Sequence, residues 1–302
     1  MQTLSIVILE YNNPKMTLST LRSLYKAKVP PGIKLEVILV DNSPVPDGVL
    51  EKTTKEFKSL TYIATHKNTG FAAGNNIGIK IGLKKKSDYF ILMNNDVKLH
   101  SLFLINLVKR LKEADIVVPK IYFAKGYEYH KDKYKPSELG KVFWYAGGSF
   151  DWNNIYSEHR GIDQVDTSQF DQPSSVELAN FCCVLIKKSV IDRIGLLDES
   201  YFLYWEDADF SVRARRAGFN LLYEPKAKIW HKSSGSSGSG STLHDYYLTR
   251  NRLHFGFKYA SLRTKLALFK ESLRLLITGR KSQKQGILSF FFRQLGKGNY
   301  SA

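Results

Sequence analysis

Leu35-Glu36-Val37-Ile38-Leu39-Val40-Asp41-Asn42-Ser43 is the stretch on which the fold turns. A run of β-branched and apolar residues, too short for a buried helix and stopped by three polar residues, reads as a buried strand ending in a turn. The same form recurs on both sides. Residues 4–9 are apolar and run into Glu10-Tyr11-Asn12. Residues 89–93 are apolar and run into Asn94-Asn95-Asp96, and 60–64 forms a weaker strand. Helical segments separate them. Asn13-Pro14 supplies a cap and a first-turn proline, Leu18, Leu21 and Leu24 follow at helical spacing, and Pro30-Pro31-Gly32 stops the element. Residues 71–83 and 102–111 also read as helices, and 116–118 as a strand. Strands alternating with helices predict an α/β fold with a mostly parallel sheet covered on both faces. Ligands of such sheets bind beyond the carboxyl ends of the strands. The polar groups at Glu10, Asn12, Asp41 and 94–96 all fall at those ends.

Beyond residue 118 the pattern loosens. Residues 124–172 are irregular, polar and aromatic, with an apolar island at 142–145, and read as an insertion on the substrate side. A strand is expected at 176–186, a short helix at 189–194 closed by Gly195, and a strand at 221–223. Ser233 begins a Ser/Gly-rich run to residue 242, flanked by His231 and Arg250. It reads as a passive linker or as a mobile lid. Residues 261–295 predict two amphipathic helices broken near Thr278-Gly279.

The net charge is +17, and the final 46 residues hold ten lysines and arginines against one acid, Glu271. Such a tail needs an anionic partner. Leu262, Leu266, Phe269, Leu273 and Leu276, then Phe290-Phe291-Phe292, add apolar periodicity to it, the pattern of a helix lying on an anionic membrane surface or packing on the main domain. No uncharged apolar run is long enough to span a bilayer. The N-terminus lacks a positive leader, and the two cysteines, Cys182 and Cys183, are adjacent, which disulfide geometry disfavours. These features predict a cytoplasmic protein, peripheral at the inner face of the cell membrane.

Tyr201-Phe202-Leu203-Tyr204-Trp205-Glu206-Asp207-Ala208-Asp209 places three carboxylates within four residues, behind an aromatic run. Clustered carboxylates beside bulky apolar groups repel and resist desolvation, so they suit a metal or a general base, although acids also favour a helix start. Tyr204 and Trp205 read as an apolar wall beside these acids, facing whatever molecule the base deprotonates. Lys67-Asn68-Thr69-Gly70-Phe71-Ala72-Ala73-Gly74-Asn75-Asn76 is small, polar and opens a helix, a modest signal for phosphate or ribose.

Taken in order, the pieces resemble an inverting family 2 glycosyltransferase of GT-A fold. They are Ser5-Ile6-Val7-Ile8 with Tyr11-Asn12, 37–43, 68–71 with Gly74-Asn75, Leu92-Met93-Asn94-Asn95-Asp96, 196–199, 206–209 with Arg213, and Tyr246-Tyr247 with Arg250-Asn251. The set looks closest to rhamnosyltransferase-like members that build bacterial surface polysaccharides. The resemblance implies a GT-A domain over 1–256, with a nucleotide-sugar half to about 120 and an acceptor half beyond it, and a basic helical tail over 257–302. It implies that Asp41 meets the nucleobase with Glu10 and Asn12 nearby. Asn68, Gly70, Asn75, Asn94 and Asn95 would hold the nucleotide-sugar, and Arg250 the diphosphate. Asp96 and His231 would bind Mg2+ or Mn2+, Asp207 would be the catalytic base, and Glu206 would position the sugar or acceptor. The family's usual Asp-x-Asp stands here as Asn94-Asn95-Asp96, which leaves the metal shell less charged.

The implied partners are a nucleotide-diphosphate sugar, a glycan or lipid-linked acceptor, and an anionic membrane met by the tail. A homo-oligomer is compatible with this reading. The competing class is a non-catalytic binder of nucleotide-sugar or of nucleic acid. Acid-rich strand ends repel nucleic-acid phosphate unless a cation intervenes, which argues against nucleic acid.

Overall fold

The structure, a computed structural model, describes residues 1–232 and 241–300. The Ser/Gly run expected as linker or lid therefore lies, from 233 to 240, outside the described residues.

The N-terminal half alternates as expected: β1 (Gln2–Glu10), α1 (Pro14–Tyr25), β2 (Ile33–Asp41), α2 (Gly48–Thr54), β3 (Leu60–Ala64), α3 (Gly70–Lys84) and β4 (Tyr89–Asn94). Then follow β5 (Val97–Leu99), α4 (Phe103–Lys109) and β6 (Ile116–Phe123). The insertion carries β7 (Phe143–Tyr145), β8 (Gly148–Asp151), β9 (Tyr156–His159) and β10 (Ser174–Ser175). The chain continues through β11 (Cys183–Lys187), α5 (Lys188–Ile194), α6 (Glu206–Arg216), β12 (Leu221–His231), α7 (Thr242–Tyr259), α8 (Leu262–Thr278) and α9 (Lys281–Phe291).

The main sheet runs β10-β12-β6-β11-β4-β1-β2-β3. β1, β2, β3 and β4 pair in parallel, as do β6 and β12, whereas β11 runs antiparallel between β4 and β6. The register Glu10↔Asp41 and Leu9↔Asn94 brings three polar strand ends level. The central strands are fully buried: Leu4, Ile6, Val7, Ile8, Ile38, Leu39 and Val40 have no exposed surface. That is why they read as continuous apolar runs rather than alternating ones.

Two expectations are corrected and one helix is added. The strand expected from 176 starts only at Cys183, because Asn180 folds the preceding segment: its Oδ1 accepts from Cys182 N–H at 2.8 Å. The strand expected at 221–223 continues to His231 past a bulge between Glu224 and Lys228. The helix α2 was not foreseen, although Asp47 caps it by accepting from Val49 and Leu50 N–H.

The C-terminal residues do form two helices broken where expected, but they are not a loose appendage. The proposed boundary at 256 falls inside α7. Ile287 on α9 has no exposed surface, and Gly286 sits so close to α7 that a Cβ there would stand 2.6 Å from the Tyr246 carbonyl oxygen.

Candidate active site

One cleft of about 470 Å³ collects the strand ends, the insertion and the aromatic loop. Asn68, Gly70, Asn94, Asn95, Asp96, Tyr204, Trp205, Glu206, Asp207 and His231 all line it.

His231 and Asp96 meet because β5 pairs with the end of β12, with His231 opposite Val97. The Asp96 carbonyl accepts from Lys232 N–H at 2.9 Å, which locks the crossing. His231 Nε2 then lies 3.1 Å from Asp96 Oδ1. Asp96 Oδ1 and His231 Nδ1 are nonetheless buried without a hydrogen-bond partner. The Asp96 carboxylate and the His231 ring, whose Nε2 faces it, supply a hard oxygen and an imidazole nitrogen of the kinds that hold a divalent cation. Among the described residues no third His, Cys, Asp or Glu completes a cluster. Donor phosphates and water would supply the rest of the shell, as is common for Mg2+.

Glu206 and Asp207 open α6. Trp205 caps it in the left-handed region at φ 75°, preceded by Phe202 at 62° and Tyr204 at 69°. Bulky residues rarely adopt such backbone, and strain of this kind gathers at functional sites. The Glu206 carboxyl is pushed well above the usual carboxylate range by burial and by the Asp207 charge. Its Oε2 has no hydrogen-bond partner. Burial raises Asp207 to about 6, against backbone hydrogen bonds, including those from Ala208 and Phe181, that pull it down. Burial thus favours the protonated form of Glu206 more strongly than that of Asp207, which separates an acid and a base on one helix turn. Asp209, the third acid, faces away and is spent on Arg213, Lys258 and Tyr259.

The turn at Asn68 meets the aromatic loop directly. Phe71 N–H donates to the Phe202 carbonyl at 2.6 Å. Gly70 sits at φ +86°, and a Cβ there would stand 2.5 Å from the Phe202 ring, so only glycine fits. Asn68 Oδ1 accepts from Gly70 N–H at 2.9 Å.

Other expected contacts stand behind the cleft wall. Glu10 is buried and accepts from Asn13 N–H, the Thr17 hydroxyl and, at 2.6 Å, Asn95 Nδ2. Its link to the cleft is Asn95, which lines it. Asp41 has no exposed surface and accepts from the Tyr62 hydroxyl at 2.7 Å and from Ser43 N–H. Asn75 is buried and donates to the Phe71 carbonyl. Asn12 is an exposed turn residue at φ 50°, between Tyr11 and Asn13, which do line the cleft.

Arg250 is corrected outright. Its side chain has no exposed surface, and its guanidinium donates to the carbonyls of Ser200, Tyr201, Gln294 and Gly296 and to Asn251 Oδ1. It has no donor left for a diphosphate.

The sequence reading missed other residues of the cleft. Asn42 lines it and binds Thr69 and the Gly70 carbonyl. From the insertion come Trp144 and His159, with Trp144 set edge-on between His159 at 4.8 Å and His231 at 4.7 Å. Burial lowers His159 to about 4, so its ring is neutral, and it pairs with Asn180 Nδ2 at 3.2 Å. The signal for Asn42 was present beside Asp41. For Trp144 and His159 no periodicity gave their place.

A cleft at the carboxyl ends of a mostly parallel sheet, holding a buried carboxylate pair and an Asp–His pair, fits a transferase that handles sugars or phosphates. The sequence profile of glycosyl transferase family 2 matches residues 5–194, and the chain belongs to that family and is a glycosyltransferase. It is similar to the N-acetylglucosaminyl-diphospho-decaprenol L-rhamnosyltransferase of Mycobacterium tuberculosis, 25% identical over 70% of each chain. It is also similar to a dTDP-rhamnosyl transferase of Shigella flexneri, 22% identical over 81% of this chain and 77% of that one. A low-salt glycan biosynthesis hexosyltransferase of Haloferax volcanii is 24% identical over 72% of this chain and 63% of its own. Among solved structures, GalNAc-T7 with UDP, GalNAc and Mn2+ shares the fold, with TM-score 0.61 and 16% identity over 91% of this chain. This chain spans 56% of that one.

Proposed function

We propose that the protein is an inverting glycosyltransferase of cell-surface polysaccharide or lipopolysaccharide assembly. It moves a sugar, rhamnose by the names of two relatives, from a nucleoside-diphosphate donor to a glycan or lipid-linked acceptor at the inner membrane face. The single observation that carries the reading is Asp207: a carboxylate open to the cleft, raised to about 6 by burial, in the same cleft as the Asp96–His231 pair.

The chemistry is one displacement. The acceptor oxygen forms its bond to C1 of the sugar as the bond from C1 to the diphosphate oxygen breaks, and the hydroxyl proton passes to Asp207. Attack opposite the departing diphosphate inverts the anomeric centre. Asp96 and His231 would hold Mg2+ or Mn2+, which when bound offsets charge on the diphosphate. Neutral Glu206 can donate a hydrogen bond to a sugar or acceptor oxygen beside the base. Tyr204 and Trp205 offer aromatic walls, and a buried wall excludes water from the reacting atoms.

The test is sugar transfer from a panel of nucleoside-diphosphate sugars to lipid-linked acceptors by wild type and Asp207→Asn. Transfer that collapses in the variant while donor still binds supports the assignment. Near-normal transfer by the variant removes Asp207 as the base.

A further inference from the structure

Helix α8 lays an apolar stripe on the surface: Leu262, Leu266, Phe269, Leu273 and Ile277 are 75%, 56%, 41%, 46% and 79% exposed. They follow one another at steps of three and four, so they occupy one side of the helix. The helix is held to the body by other positions, namely Thr264, Leu268 and Ser272, which are buried. Leu276, part of the apolar periodicity read from the sequence, packs inward against the cluster that contains Leu268 and Ile287. The stripe does not stop at the end of α8. Phe269 meets Phe291 of α9 edge-on at 6.0 Å, and the next residue, Phe292, is 71% exposed. Two helices thus present one apolar face.

Basic residues flank it. Arg263, Lys270 and Arg274 are exposed, and at about 100° per residue they lie together along one border of the stripe. The one acid of the region, Glu271, points back and pairs with Arg252 at 2.9 Å. No helix of the described residues is long and apolar enough to cross a membrane.

We infer that this composite face of α8 and α9 docks on an anionic lipid surface, with Leu266, Phe269, Leu273 and Phe292 entering the interface and Arg263, Lys270 and Arg274 meeting the headgroups. Charge decides the occupant. A second copy would bring the same basic border against itself, whereas anionic headgroups complement it. The inference deepens the proposed function only in setting the enzyme beside a lipid-linked acceptor; lipid binding itself does not depend on that reading.

The test floats the full chain with vesicles of phosphatidylcholine, with and without phosphatidylglycerol. Binding at least about tenfold stronger to the anionic vesicles, weakened by salt, is expected. The double variant Leu266→Glu, Leu273→Glu should lose flotation yet keep the wild-type melting midpoint, since both positions are exposed. Flotation undiminished in that variant overturns the assignment of the face. A folded wild type that fails to float, or that forms a dimer in solution which the double variant dissociates, overturns the lipid partner. Donor hydrolysis measured on the same samples reports separately on the transferase reading.

Discussion

Arg250 donates from Nη2 to the Tyr201 carbonyl at 2.9 Å and from Nη1 to the Gly296 carbonyl at 2.7 Å, so one guanidinium ties the C-terminal segment to the loop before Asp207. Asn251 adds Nδ2 contacts to the carbonyls of Tyr201, Leu203 and Tyr204. A loop with three bulky residues at positive φ needs such support, because each strained residue costs on the order of 1–3 kcal/mol.

Arg250→Lys is therefore expected to act on stability and on positioning, without touching substrate. An ammonium cannot reproduce the planar fork. Loss of charged hydrogen bonds of this kind costs about 1.5–3 kcal/mol each. The melting midpoint should fall by several degrees, and kcat should fall while donor affinity is kept. Calorimetry and donor titration check this. A variant with normal stability and weakened donor binding would restore a direct diphosphate contact.

The pH dependence follows from Asp207. A base must be ionised, and burial has raised this carboxyl to about 6. Sugar transfer should therefore fall tenfold per pH unit below about 6 and level off above it. Asp207→Asn should lower transfer by about 100- to 10,000-fold at pH 8. The stability sign is opposite. A carboxyl raised from its ordinary value near 3.8 favours the fold while protonated, and that advantage is lost as pH rises through about 6. At pH 8 the neutral asparagine should consequently melt higher than wild type, a trade of stability for function.

Glu206 is expected to stay protonated where Asp207 is charged, because burial and that charge both oppose its ionisation. Glu206→Gln keeps a neutral donor of the same shape, so transfer should remain near wild type. Glu206→Ala removes the group and should lose about tenfold or more, a little over 1 kcal/mol of transition-state stabilisation. Steady-state kinetics on the two variants separate the roles. Equal, large losses in both would mean that the negative charge matters.

Much of the fold was legible because buried parallel strands write themselves as unbroken apolar runs. The residues 4–9, 35–40 and 89–93 could hardly be anything else, and their polar ends marked the cleft. Asp96 and His231 stand 135 positions apart, and only the pairing of β5 with β12 joins them, which no local pattern announces. Arg250 misled for a physical reason. The family resemblance points Arg250 at a diphosphate, but a motif does not say which oxygens surround the guanidinium, and here they are buried carbonyls. The periodicity of the tail predicts two helices, which form, but which side of α8 is exposed rests on packing, and there Ile277 is exposed while Leu276 packs inward.

The metal prediction turns on the missing first acid of the Asp-x-Asp pattern. Asn94 and Asn95 line the cleft, but Asn95 is held by Glu10 and cannot contribute a charge. Among the described residues Asp96 is the one carboxylate paired with His231, at 3.1 Å, and it would bring the single negative ligand. A shell with one carboxylate should bind Mg2+ or Mn2+ weakly alone and much more tightly once a diphosphate adds its oxygens. Thermal shift should then show little effect of Mn2+ alone, and a clear rise with Mn2+ and donor together. Asp96→Asn should abolish that joint rise and lower transfer by about 100-fold or more, since charge stabilisation of several kcal/mol is lost. His231→Ala should weaken it less, because a neutral ligand is replaceable by water. A donor-induced shift that is the same with chelator present, in wild type and Asp96→Asn alike, would assign the pair a purely structural role.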